Sequence, residues 1–271
     1  MQLIKELFAR LNPKGSVCKF VLKDWKRLPD LDALSRVLES KRFSENLEPV
    51  VVGVPQGKRI LVLAPHPDDD VFGAGGTLLK SVQGGAKIKA ICVTTGEKED
   101  TRDTVRVREE EARRASEALG AEIEFWRYPT RMWRVDEKIA NRLRTAVANW
   151  NPVTIVLPFL ADDHEDHRRT SELFYRTFRD APPQGEVWAY QVYSTVLPNV
   201  LVDITDVMEE KLRLVRMHQS QMAHRDWAHY LRGLNALNSR FLKTNEPRYA
   251  EMFFVVSARE YIELCHRYYA S

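Results

Sequence analysis

Paired thiols, long apolar runs and a strong charge of either sign are all missing from this chain. Only three cysteines occur in 271 residues: Cys18, Cys92 and Cys265. Odd in number and far apart, they exclude a disulfide framework and a zinc site built on cysteine pairs, and they are expected as packed thiols. No apolar run approaches the ~18–20 residues that a membrane-spanning helix needs. The opening MQLIKELFARL carries charge at Lys5, Glu6 and Arg10, where a secretory leader would be apolar, so a cytoplasmic location is expected. A formal net charge of +3 is too mild to argue for a nucleic-acid partner. There is no internal repeat, no low-complexity segment and no GxGxxG fingerprint of a dinucleotide-binding turn.

The modest charge is unevenly spread. Residues 1–27 hold seven Lys and Arg against Glu6 and Asp24, so the basic character belongs to the N-terminus. Leu3, Ile4, Leu7, Phe8 and Leu11 form one apolar stripe on a short predicted helix there. Such a stripe beside cations suits peripheral contact with anionic lipid, or docking on the chain's own domain or a partner subunit. Residues 1–57 do not join the pattern that follows and read as an N-terminal extension to a domain spanning 58–271.

From residue 58 onward, short runs rich in Val and Ile alternate with helix-period segments, the signature of βαβ units around a parallel sheet. RILVLA (59–64), IKAICVT (88–94), EIEFWRY (122–128) and VTIVLPF (153–159) read as buried strands. Helices are predicted over roughly 74–83, 104–119 and 136–150, closed by Gly84, Gly120 and Pro152. A helix reaching about 179, strands near 186–193 and 200–204, helices at 206–218 and about 224–242, and a last strand EMFFVV complete the reading. The expected fold is α/β: a Rossmann-like, doubly wound, mostly parallel sheet with helices on both faces.

Two polar clusters stand directly after strands: HPDDD at 66–70 and DDHEDH at 162–167. In an open parallel sheet the ligand crevice lies beyond the carboxyl ends of the strands, where strand order reverses. With the fourth strand beside the first, topology carries both clusters into one crevice. Three adjacent carboxylates repel one another unless solvent screens them or a cation neutralises them. Alone, HPDDD would pass for a solvated turn and HEDH for a charged helix start; together they point to a metal. Imidazoles and carboxylates suit zinc, which in catalytic sites takes about three protein ligands. His66, Asp69 and His167 would supply them, one ion per chain. Asp68 is then left to take a proton from water, His164 to stabilise an oxyanion or act as acid, and Asp166 to orient an imidazole. Asp70, Asp162 and Asp163 are expected in solvated or capping roles. The glycines of FGAGG read as close packing of helix on sheet.

These residues resemble the LmbE-like, PIG-L-type zinc de-N-acetylases, which remove acetyl from N-acetylglucosaminyl groups. That family's A-H-P-D-D-E stands here as APHPDDD and its D-x-H-x-D-H as DDHEDH. TTGE, REEEARRASEALG, HQSQ at 218–221 and YAEMFF extend the likeness over roughly 58–256. The resemblance implies the same metal ligands, Asp68 as general base, His164 as electrostatic stabiliser, and Arg108 beside the active site. It departs where Pro129-Thr130 replaces a family Pro-Asp and where Asp70 replaces a glutamate. FWRYPTRMWR (125–134) interleaves aromatics with arginines, so Trp126 and Arg131 join Arg108 as candidate substrate contacts, although Trp126 and Trp133 would equally anchor a loop. The substrate implied is a small or lipid-linked amino sugar. The competing readings are a metal-dependent phosphoesterase, which wants a second metal, and a non-catalytic sugar-binding protein, which has no need of Asp68.

Overall fold

The computed structural model describes residues 33–37, 39–40, 49–96, 101–192 and 198–269. They build a single eight-stranded sheet. Its strands are β1 (Val50–Val52), β2 (Arg59–Ala64), β3 (Lys87–Thr94), β4 (Glu122–Tyr128), β5 (Thr154–Pro158), β6 (Glu186–Tyr190), β7 (Val200–Asp203) and β8 (Ala250–Ser257). The order across the sheet is β1-β7-β8-β6-β5-β2-β3-β4. Only β8 runs antiparallel to its neighbours, β6 and β7; every other pairing is parallel.

Side chains alternate across a strand, so the central strands feed two cores. Ile60 and Val62 of β2, with Ile88 and Ala90 of β3, enter one cluster, while Leu61, Leu63, Ile91 and Val93 enter the other. Both faces therefore need apolar residues, which is why these strands read as continuous hydrophobic runs. The first face is covered by α1 (Asp69–Gln83), α2 (Arg102–Leu119), α5 (Met208–Arg216) and α7 (Trp227–Asn238), with the single turn α6 (Gln219–Met222) between the last two. The second is covered by α3 (Glu137–Trp150), α4 (Glu165–Phe178) and α8 (Ala258–Tyr269). The glycines of FGAGG do set a close approach. A Cβ on Gly73 would stand 2.2 Å from the Tyr190 ring, and one on Gly76 2.7 Å from Ile204.

The doubly wound reading holds, with differences at the edges. The first helix begins at Asp69 rather than near 74, so two of the three consecutive aspartates lie in its first turn. Residues 50–52, outside the alternation, join the sheet as an edge strand. The helical turn at 33–37 buries Ala33 and Val37, and Arg36 Nε donates to the Arg267 carbonyl at 3.0 Å. α8 has no counterpart in the sequence reading, although Tyr261, Ile262, Leu264, Cys265 and Tyr268 are spaced as one helical face. Cys92 and Cys265 are free and buried. The stripe Leu3–Leu11 and Cys18 lie outside the described residues. No helix among the described residues is long and apolar enough to cross a membrane.

Candidate active site

β2 pairs with β3 on one side and β5 on the other, so strand order reverses between β2 and β5. Both polar clusters emerge at the carboxyl ends of that pair, where a crevice must open. Pro65 and Pro67 bracket His66 at the bend where the chain leaves β2. Asp69 and Asp70 then open α1, whose N-terminal dipole favours carboxylates. On the other side His164 caps α4, its Nδ1 accepting from the Asp166 N–H at 3.2 Å. The first turn of α4 then carries Asp166 and His167 inward.

Asp69 Oδ2 lies 2.9 Å from His66 Nδ1 and 3.2 Å from His167 Nε2. The imidazoles of His66, His164 and His167 stand with ring centroids 4.7 to 5.4 Å apart. All of His66, Asp68, Asp69, Asp70, Asp162, Asp163, Asp166 and His167 are buried. Of the solvated or capping roles expected for Asp70, Asp162 and Asp163, burial contradicts the solvated one. Asp162 Oδ1 takes the His164 N–H at 2.9 Å and lies 3.3 Å from His167 Nδ1.

The donor set fits a divalent metal. Ligand atoms of His66, His164 and His167 lie within 4.8 Å of one another, as do those of His66, Asp68 and Asp69. Tetrahedral ligands about 2.0–2.1 Å from zinc are roughly 3.3 Å apart, which is close to the separations around Asp69 Oδ2. Asp69 Oδ1 is buried with no hydrogen-bond partner, a cost that a cation would relieve.

The titration of the cluster follows from burial and neighbours. Against burial, the charges of His167 and His66 hold the Asp69 carboxyl well below the usual range. Burial also opposes charge on His167, but Asp69 and Asp162 raise it to about 10. An imidazole held protonated in this way gives up that proton on coordinating a metal. Burial, then His66 and His167, push His164 down to about 2, so it is neutral. Burial raises the Asp68 carboxyl; Arg108 opposes the rise and Asp69 adds to it. Asp70, with burial dominant, is raised to about 7.

The surroundings hold these groups in place. Arg108 is buried and donates to Asp68 Oδ2 at 3.0 Å and to the Gly96 carbonyl at 2.5 Å. Asp166 takes the Arg131 N–H at 3.0 Å and the Trp133 indole N–H at 2.8 Å, and its Oδ2 lies 3.2 Å from His66 Nε2. Arg131 is left-handed, φ 63°, and its carbonyl accepts from Arg169 at 2.7 Å. Those bonds at both peptide groups stabilise a backbone conformation that costs a non-glycine residue energy.

A cleft of about 170 Å³ is lined by His66, Asp68, Gly96, Arg108, Thr130, Arg131, His164 and Gln221. Of the three candidate substrate contacts, Arg108 and Arg131 reach it. Trp126 does not: it is buried in the core, donates to Glu124 at 2.8 Å and lies under Arg142. The packing role for Trp126 and Trp133 is the one the fold adopts. Gly96, Thr130 and Gln221 had no assigned part in the cleft; Gln221 lies within the HQSQ motif, which was its only signal.

Fold and site together define a class: Rossmann-like α/β proteins with a buried His/Asp cluster, able to hold a metal, at the switch point. Residues 61–178 match the family model described as PIG-L: GlcNAc-PI de-N-acetylase. It is 29% identical over 217 residues to the diacetylchitobiose deacetylase of Thermococcus kodakarensis, covering 72% of this chain and 81% of that protein. It is 24% identical over 208 residues to a 4-oxalmesaconate hydratase of Pseudomonas putida, covering 67% and 80%. The fold is similar to that of the N,N'-diacetylchitobiose deacetylase from Pyrococcus horikoshii, with TM-score 0.67, 24% identity and coverage of 85% and 94%.

Proposed function

We propose that the protein is a zinc-dependent amide hydrolase that removes acetyl from an N-acetylglucosaminyl conjugate. The observation that carries this reading is the placement of a buried His66–Asp69–His167 donor set beside Asp68 at the switch point. One zinc ion per chain, held by these three residues, would polarise the amide carbonyl and lower the pKa of an attacking water.

The remaining steps belong to side chains of this chain. Asp68 accepts the proton of the attacking water, and Arg108, bonded to its Oδ2, fixes which oxygen faces the cleft. His164 Nδ1 is occupied as an acceptor, so its proton sits on Nε2. Nε2 lies 3.3 Å from the Arg131 guanidinium, and two N–H groups cannot bond each other. They stand side by side as donors to a developing oxyanion. Asp166 orients His66 from behind.

The named deacetylase relatives support a small amino-sugar substrate. The hydratase relative favours a second reading, addition of water to an unsaturated acid on the same site. Acetate release from N,N'-diacetylchitobiose and related N-acetylglucosaminyl compounds tests the proposal against hydration of 4-oxalmesaconate and phosphate release from matched esters. Hydration or phosphate release without acetate would overturn it.

A further inference from the structure

The turn that carries the chain from α5 to α7 holds a polar contact that the proposed chemistry does not use. Glu111 of α2 is buried and takes two bonds from Ser220, its backbone N–H at 2.9 Å and its hydroxyl at 2.6 Å. A carboxylate gripped at both oxygens fixes position and orientation together. Glu111 stands three residues after Arg108 and so on the same face of α2, one turn along. A single 18-residue helix thus holds Asp68 through Arg108 and the turn α6 through Glu111. His218, at the start of that turn, is buried edge-on against Phe72 of α1, with ring centroids 5.9 Å apart. The next residue after Ser220 is Gln221, which lines the cleft with Arg108, Arg131 and His164.

We propose that Gln221 is a specificity-determining residue that reads a hydroxyl of the sugar ring, and that Glu111 is the positioning residue that sets it there. A carboxamide offers donor and acceptor together, the match for a hydroxyl that must both give and take a hydrogen bond. The two guanidiniums on the cleft wall offer donors only. The inference rests on the amino-sugar reading above and adds the group that recognises the ring.

The test is a double-mutant cycle on acetate release from N,N'-diacetylchitobiose, with Glu111→Gln, Gln221→Ala and the pair. Each single change should raise KM roughly threefold to tenfold, the scale of one net hydrogen bond, with kcat little altered. The pair should be no worse than Gln221→Ala, because Glu111 acts through Gln221. Ser220→Ala should reproduce Glu111→Gln, while Ser220→Thr, which keeps the hydroxyl, should restore KM. Multiplying effects in the pair, unchanged KM in either single, or a fall confined to kcat would overturn the inference. If the wild type releases no acetate, the proposed function fails on that result. The positioning contact is then read by hydrogen exchange, where Glu111→Gln should lose protection at amides 220–222; unchanged protection would overturn it.

Discussion

Helix α1 touches two buried charge clusters, and they are satisfied to different degrees. At its middle, Glu251 Oε1 takes the Gly76 N–H and Lys211 Nζ at 2.8 and 2.7 Å, and Oε2 takes the Thr77 N–H and hydroxyl at 2.8 and 2.6 Å. Lys211 also donates to Asn235, whose amide in turn donates to the Ala250 carbonyl. Every charge there has its partners, and the cluster ties α1 to α5, α7 and β8. At the N-terminal end of the same helix, Asp69 keeps one oxygen without a hydrogen bond, while Asp68 and Asp70 are raised by burial. A satisfied network rigidifies a fold; an unsatisfied one is strained until something binds. The first cluster serves the fold and the second the chemistry.

The largest effect that sharpens the contrast is in metal content. His66→Ala, Asp69→Ala and His167→Ala should each lose most of the bound ion by elemental analysis, with no comparable loss of apo-protein stability in urea; full metal retention in all three would remove the ligand assignment. Next comes the other cluster, where Glu251→Gln or Lys211→Met leaves a buried charge without its partner. Each should cost about 3–5 kcal/mol in urea unfolding, and Lys211→Met with Glu251→Leu should cost less than either alone. Acetate release per folded molecule should survive both, and a catalytic collapse without unfolding would merge the two clusters into one. His164→Ala should then lower kcat roughly 10²–10³-fold with metal retained.

The smallest effect lies between the clusters, at His218. Burial, then the Arg108 charge, push its pKa to about 4, below the roughly 6.5 of an unfolded histidine. The unfolded state therefore binds more protons in that window, and stability rises with pH across it. Stability is full above pH 6.5 and should fall by roughly 2 kcal/mol between pH 7 and pH 5 on account of this group. His218→Gln should flatten that part of the urea-midpoint profile, and an unchanged slope would assign the pH dependence elsewhere.

Much of this was legible from the order of residues. β2 and β5 announce themselves as apolar runs, and the polar clusters follow each directly, so the switch-point rule brought His66 and His167 together before any coordinates. Trp126 was harder, because side-chain direction hangs on the pleat. Phe125 pairs with Cys92, so Trp126 beside it faces the side of Val93 and enters that core, while the register shift and the left-handed φ of 60° at Arg127 follow it. The Glu111–Ser220 contact depends on which elements meet across 109 residues of chain, information that no local pattern contains. α8 is readable from its spacing, whereas β1, at three residues, is too short for a period to show.

In the proposed mechanism Asp68 takes the proton and the metal site stands without it. The most direct measurement is acetate release from N,N'-diacetylchitobiose by wild type and Asp68→Asn at matched zinc content. Equal metal in both is expected, with a turnover lower by roughly 10²–10⁴ in the variant, since the proton acceptor is lost and the ligands are kept. Turnover near that of the wild type at equal zinc content would contradict it and move the base elsewhere in the cleft.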